Sequence, residues 1–356
     1  MKYRVSDLAD LNIRSVSKNA KGVIYYIDTS SVFQGHFREA NRYSAIADAP
    51  SRARRLAQEG DTVISMVRPS NEHIGFIDFD TDNYVFSTGF VVVHPNSEIV
   101  EPFYLYLLLS LDSTTRYLQQ IAETSTTAYP SVKVEDIGNL SFDIPEISKQ
   151  RKIVHKIRII EQKIKLNQEI NDNLAETKSA IFNELFDSKL ANGLNGKLQD
   201  ITDLKTGKRP KSKFNQRDSK AIYPIIGATK VMGFTTDYLY DESVITIGRV
   251  GTHGVVQRYR EPIWVSDNTF IFLSEHEDYL YELLSHRIKY SSLNVGSTQP
   301  LITQSDLKNV DIYVPTKQEF SIFEERTSAL TKYQFKLNKQ NSTLKALQNS
   351  LLDKYF

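Results

Sequence analysis

Apolar residues recur at a 4-3 spacing in two stretches of the chain. In the first, positions 153, 157, 160 and 164 are all isoleucine; the stripe turns polar at Asn167 and Asn171 and resumes through Leu174, Lys178, Ile181 and Leu185. In the second, the same spacing carries Phe323, Thr327, Leu330, Gln334, Leu337, Asn341, Leu344, Gln348, Leu351 and Tyr355. Such a period marks one face of a helix. Each stripe follows a proline, Pro145 or Pro315, that closes a strand-like SFDIP or DIYVP, so two helices of about 40 residues, roughly 60 Å each, are predicted. Two stripes in one chain can bury each other as an antiparallel coiled coil, or each can pack on its own globular domain. In the first case Ile153, Ile157, Ile160, Ile164, Asn171 and Leu174 are helix-pairing residues of one partner. Leu330, Leu337, Asn341, Leu344 and Leu351 are those of the other, with the asparagines fixing register at some cost in stability.

Elsewhere the pattern shortens to period two. Runs at 23–27, 62–67, 74–79, 90–93, 244–247, 255–257 and 269–273 read as strands, and 101–121 and 276–290 read as helices. The Asn-Gly pairs of SKLANGLNGKL (188–198) mark a linker.

These elements are written twice. Pro130, Asp136, Asn139 and Pro145 return with one constant offset as Pro300, Asp306, Asn309 and Pro315. Upstream, VSDLADL (5–11) matches LQDITDL (198–204), setting Asp7 and Asp10 against Asp200 and Asp203. Tyr25 and Gly35 match Tyr223 and Gly233, and DTVISMVR (61–68) matches ESVITIGR (242–249), which sets Arg68 against Arg249. The period is too long for a solenoid, so each copy is a domain followed by a helix. The predicted fold class is α+β: two similar mixed α/β modules and two long antiparallel coiled-coil helices in a pseudo-twofold internal repeat. The expected boundaries are 1–146 for the first module, 147–187 for its helix, 188–197 for the linker, 198–315 for the second module and 316–356 for the last helix.

At 356 residues the chain has room for two or three domains. No apolar run approaches the roughly 20 residues that span a bilayer, the N-terminus lacks a signal-peptide core, and there is no cysteine. A cytoplasmic protein without a membrane partner is expected, and disulfides and thiolate chemistry are excluded. Net charge is only +1, so a polyanion partner would require basic residues gathered locally.

Such gatherings occur where the copies differ. The second gains residues in KTGKRPKSKFNQRDSK (205–220), with Lys205, Lys208, Arg209, Lys211, Lys213, Arg217 and Lys220 against the single acid Asp218. The first gains residues in 36–59, with Arg38, Arg42, Arg52, Arg54 and Arg55. Variable loops on a shared scaffold are where recognition sits, and Lys/Arg clusters suit phosphate, although a solvated surface has the same composition. Two further loops offer an arginine, a histidine and small polar residues: Arg68 with His73, and Arg249 with Thr252 and His253. Either could enter a DNA groove or simply close a hairpin. Ser125 and Thr126, and likewise Ser297, Thr298 and Gln299, precede the repeated proline and could hold a phosphate or cap a turn.

Enzyme signatures are missing. There is no phosphate-binding G-x-x-x-x-G-K-[ST], no G-x-G-x-x-G after a strand, no H-E-x-x-H and no N-P-P-Y-like methyltransferase loop. The seven histidines have no ligand spacing, so no metal site is expected.

Two unlike modules, each closed by S-T-x-P…D-[IL]-x-N-[LV]…P and followed by a long helix, resemble the DNA sequence specificity subunit of Type I restriction-modification systems. GSTQPLITQSDLKNVDIYVP (296–315) is the close match and TSTTAYPSVKVEDIGNLSFDIP (124–145) the looser one. The resemblance implies two target recognition domains, each reading one half of a bipartite, asymmetric site in double-stranded DNA, with the helices as a ruler. It also implies a non-catalytic scaffold for two S-adenosylmethionine-dependent adenine methyltransferase (modification) subunits and two ATP-dependent restriction (endonuclease) subunits. No cofactor belongs to this chain itself; S-adenosylmethionine, ATP and Mg are expected on those partners. Base-reading residues vary within the family, so the DNA contacts named above rest on the loops alone. The competing expectation is a non-catalytic assembly scaffold whose modules bind protein.

Overall fold

A computed structural model describes residues 1–17, 19–124, 130–250, 254–293 and 301–356. The chain divides into two units, Met1–Ile164 with Thr343–Phe356, and Lys165–Ser342.

The first unit begins with β1 (Lys2–Arg4), α1 (Val5–Leu8) and β2 (Ala9–Leu11). There follow β3 (Ile24–Ile27), a small hairpin of β4 (Val32–Phe33) and β5 (His36–Phe37), then β6 (Asn41–Tyr43), β7 (Ala53–Arg55), β8 (Thr62–Ser65), β9 (Ile74–Phe76), β10 (Tyr84–Ser87) and β11 (Phe90–Pro95). Helices α2 (Pro102–Leu109), α3 (Asp112–Glu123) and α4 (Val134–Gly138) lead to β12 (Ser141–Asp143). Two four-stranded sheets, in the orders β6-β3-β10-β7 and β2-β11-β8-β9, carry the module. The apolar run at 104–111 gives α2, buried nearly all round, as its lack of a polar face requires. The single helix expected over 101–121 is broken at Leu111, whose backbone is extended, while the Ser110 hydroxyl donates back to the Tyr106 carbonyl at 2.8 Å.

The first long helix, α5 (Ile147–Asn192, 46 residues), starts in this unit. Ile153 and Ile157 join Val5, Leu8, Val91, Val93 and the α2 leucines in one core, each side chain contributing about 1.5–3 kcal/mol by burial. Buried Gln150 locks the start of α5: its Nε2 donates to the carbonyls of Pro145 (2.8 Å) and Ile99 (3.2 Å), and its Oε1 accepts from Glu101 N (2.9 Å).

The second unit repeats the plan. It holds β13 (Gly196–Lys197), a 3-10 turn at Leu198–Asp200, β14 (Asp203–Thr206), β15 (Tyr223–Ile226), β16 (Val231–Thr235), β17 (Val244–Gly248), β18 (Val256–Tyr259), β19 (Trp264–Val265) and β20 (Thr269–Leu273). Then come α6 (Glu277–His286), α7 (Gln304–Lys308), β21 (Asp311–Ile312) and α8 (Lys317–Tyr355). Its sheets run β14-β20-β17-β18 and β16-β15-β19. An aromatic cluster of Phe182, Phe186, Tyr279, Phe320 and Phe323 joins α5, α6 and α8, with ring centroids 5.0–6.3 Å apart.

The repeat is visible in single hydrogen bonds. Val5 N donates to Leu140 O, and Leu198 N to Val310 O. The duplicated carboxylates Asp7 and Asp200 both cap turns, accepting from Arg4 N (2.9 Å) and Lys197 N (2.6 Å). The chain entering each module pairs with the strand leaving it, β1 with β12 and β13 with β21. The last two residues of the expected linker, Gly196 and Lys197, are therefore strand. The helix before it runs on to Asn192, since no breaker intervenes before Gly193 and Lys189 pairs with Glu319.

The long helices pack antiparallel inside each unit. In the first, Glu161 accepts from Gln348 (2.9 Å). In the second, partners descend along α8 as they ascend along α5: Asn167 with Asn341, Asn171 with Asn338, Lys178 with Thr331 and Glu184 with Arg326. Ile153, Ile157, Ile160, Ile164, Leu337 and Asn341 are buried, and Asn171, Leu174, Leu330, Leu344 and Leu351 are half-buried. Asn171 and Asn341 thus sit in two separate amide pairs. No described helix is long and apolar enough to cross a membrane.

Candidate nucleic-acid interface

In the second unit four chain turns converge at one end of the sheets. Gly207 N donates to Thr269 O (3.0 Å), Lys208 N to Val265 O (2.9 Å), Ser266 N to Ile226 O (2.9 Å) and Arg249 N to Asn268 O (2.9 Å). The β19–β20 turn at 266–268 is therefore flanked by the start of the basic segment, the end of the β15–β16 hairpin and Arg249. Gly207 permits the closest approach, since a Cβ there would lie 2.2 Å from Ser266 O. Buried Trp264 fixes the segment from below, its indole N–H donating to Lys208 O at 2.7 Å.

Around this end Lys208, Arg209, Lys211 and Lys213 are exposed, as is Arg217 further along the segment. The cationic surplus is smaller than the sequence suggests. Lys205, within β14, pairs with Asp203 (2.8 Å), a hydrogen bond that raises its pKa, and Arg209 lies 3.4 Å from Asp267. Arg249 is half-buried, with its Nε enclosed and no hydrogen-bond partner for it among the described residues.

The first unit builds the corresponding end differently. Its β10–β11 turn is held by Thr88 N donating to Arg52 O (2.8 Å) and Met66 N donating to Gly89 O (2.9 Å). Arg38, Arg52 and Arg68 are exposed in the loops at this end, Arg68 in a left-handed conformation (φ 48°). His73 is half-buried beside them, and its Nδ1 is bonded to Val32 O at 2.6 Å. Arg42 is exposed on β6. Arg54 donates to the neighbouring Ala53 carbonyl (2.8 Å), and the Arg55 Nε is buried on β7. The charges of 52–55 thus run from an exposed turn into a strand. Ser125, Thr126, Thr252, His253, Ser297, Thr298 and Gln299 lie outside the described residues.

Two sequence equivalences are corrected. Arg249 takes a bond from Ile302 N and gives one to Asn268 O, and the residue doing both in the first unit, with Val132 N and Gly89 O, is Met66. The bridges Val67–Ser131 and Val250–Leu301 agree. Arg68 therefore stands two residues beyond the place that Arg249 occupies. A slip of two preserves strand alternation, so the apolar pattern could not reveal it. Gly35 likewise is not the counterpart of Gly233: it sits at the tip of the β4–β5 hairpin, whereas Gly233 is inside β16.

Elsewhere, charged groups serve the fold. Buried Asp61 accepts from Gln58 N (2.8 Å) and Arg14 (3.1 Å) and bonds His94 (2.6 Å). In the second unit Asp278 binds Arg258 (2.6 Å) and Thr331 (2.7 Å). Beside it Glu282 lies 3.9 Å from buried Lys178. No group of three or more His, Asp or Glu that could hold a metal occurs among the described residues.

Residues 1–176 and 195–347 match the family described as Type I restriction modification DNA specificity domain. The chain belongs to that family. Over 184 residues this specificity chain is 35% identical to the Type I restriction enzyme HindI specificity subunit of Haemophilus influenzae. That match takes in 52% of this chain, which thus spans 40% of the length of its curated relative. A Type I restriction-modification S subunit from M. genitalium shares the fold, with a TM-score of 0.61 at 14% identity over 100% of this chain and 96% of the other. Two modules and a pair of long helices are thus the architecture of a Type I specificity chain, as the duplicated sequence implied.

Proposed function

We propose that this chain is the DNA-recognition subunit of a Type I restriction-modification complex, each module reading one half of a bipartite, asymmetric site in double-stranded DNA. The observation that carries this reading is the convergence, at one end of each module, of strand-end turns bearing exposed cations: Arg38, Arg52 and Arg68 in one, Lys208, Arg209 and Lys211 in the other. Turns held by backbone bonds on a rigid sheet keep exposed side chains in place for reading, while the cations bind phosphate.

The paired helices set the gap between half-sites and dock two modification subunits, and through them two restriction subunits. The chain is the specificity subunit and not the catalyst. S-adenosylmethionine supplies the methyl group on the modification subunits, and ATP with Mg drives the restriction subunits, all in the cytoplasm.

The test is the adenine methylation map of the host genome with the gene intact and deleted. Loss of one motif, two short half-sites around a fixed gap, is expected. Direct DNA selection with the purified complex that returns no preferred sequence would refute the reading in favour of a protein-binding scaffold.

A further inference from the structure

We propose that Met232 is a specificity-determining residue of the second module, and that it reads a thymine methyl group in the major groove; the proposal rests on the DNA-recognition reading above. Strands β15 and β16 pair Tyr223 with Thr235, Pro224 with Phe234 and Ile225 with Gly233, but Ile226 with Val231. The register shift leaves Met232 as the extra residue of a β-bulge. Bulges re-aim a side chain and are enriched beside functional sites.

Two glycines make room for this one. A Cβ on Gly227 would lie 2.5 Å from the Met232 sulfur, and one on Gly233 (φ +147°) would lie 2.6 Å from Phe214 O. The bulge so built does not bury the methionine. Met232 is 42% exposed and Val231 45%. An apolar pair this exposed at a hairpin end leaves a surface on which an apolar group from outside the chain can rest.

Position and charge identify that occupant. The hairpin end is bonded to the β19–β20 turn through Ser266 N and Ile226 O, the same turn that holds Lys208 and Arg249. Lys230 is exposed next to Val231, and the Lys213 stem passes 3.2 Å from where a Gly233 Cβ would stand. An apolar tip set among lysines fits a polyanion that also displays an apolar group. Duplex DNA does so in its major groove, where thymine alone among the unmodified bases carries a methyl. Methionine, unbranched and polarizable, suits contact with a single methyl.

The test uses the whole complex, the chain with its modification subunits, and its target duplex. Thymines of the second half-site are replaced one at a time by deoxyuridine, which lacks only the methyl. Expected is one position where affinity falls about fourfold for the natural chain and for Met232→Leu, with no change for Met232→Ala. The same substitutions in the first half-site serve as a folding control and should be indifferent to both variants. The proposal is overturned if no position responds, if Met232→Ala keeps the response, or if the second half-site holds only G·C pairs. Brightening of 2-aminopurine at an unresponsive step would mean that Met232 is a wedge between bases, which also overturns it. A natural complex without any sequence preference removes the underlying reading itself.

Discussion

Asn167 donates its side-chain amide to Asn341 Oδ1 at 2.7 Å, and both residues are buried where the two long helices meet in the second unit. Asn171 and Asn338 form a second amide pair at 2.7 Å one helical turn away. Replacing one partner, as in Asn341→Leu, leaves a buried amide poorly satisfied and should cost about 1–3 kcal/mol. The double change Asn167→Leu/Asn341→Leu should recover most of the loss. Urea denaturation of the single and double variants measures both, and a double variant no better than the single would mean that the two amides are not energetically coupled.

Burial pushes the Glu282 carboxyl up to about 7, against the opposing pull of Lys178 and Arg258. In the unfolded chain the same group releases its proton near 4.5. The folded state therefore holds the extra proton between these values, and the stabilisation, complete below pH 4.5, is lost as pH rises through about 7. Burial lowers the pKa of His286, 3.5 Å away, which acts in the opposite sense, so the comparison must be between chains. Unfolding midpoints at pH 5 and pH 8 should differ less for Glu282→Gln than for the natural protein; equal differences would show that Glu282 is ionised throughout.

The backbone of Arg249 is tied on both sides, to Asn268 and Ile302, so removing its side chain leaves the turn intact. Arg249→Ala should weaken or relax reading of the second half-site by about 1–3 kcal/mol and leave the first unchanged. Methylation sequencing of the variant gives the answer directly. An unaltered motif would assign the arginine to the fold.

Deleting charge across Lys208, Arg209, Lys211 and Lys213 should act otherwise. Affinity should fall for all sequences alike, and the slope of log affinity against log salt should flatten by about 0.9 for each phosphate no longer neutralised. Binding titrations at several salt concentrations separate this from a change in specificity. Arg209, already beside Asp267, should account for the smallest share.

The sequence made the large features legible because they are periodic or duplicated. Ile153 to Ile164 announced α5, and the constant offset from Pro130 to Pro300 announced two copies of one fold. What it misplaced were local registers. Arg68 and Arg249 matched because alternation is blind to a slip of two residues, and Gly35 matched Gly233 because one glycine carries little information. The bulge at Met232 was invisible for a related reason: it depends on a strand pairing that no composition encodes. Met232 itself could have been flagged only as an apolar residue soon after the turn signal of Gly227.

The antiparallel bonds joining β1 to β12 and β13 to β21 place the way in and the way out of each module side by side. Each module is thereby a cartridge on a single two-pin connector. A genome that recombined a foreign coding segment between those two points would need to rebuild a pair of neighbouring peptide joints and keep the module face that packs on Ile153 and Ile157, or on Phe182 and Phe323. The paired helices would stay whole, and the cell would acquire a new DNA address in one genetic event.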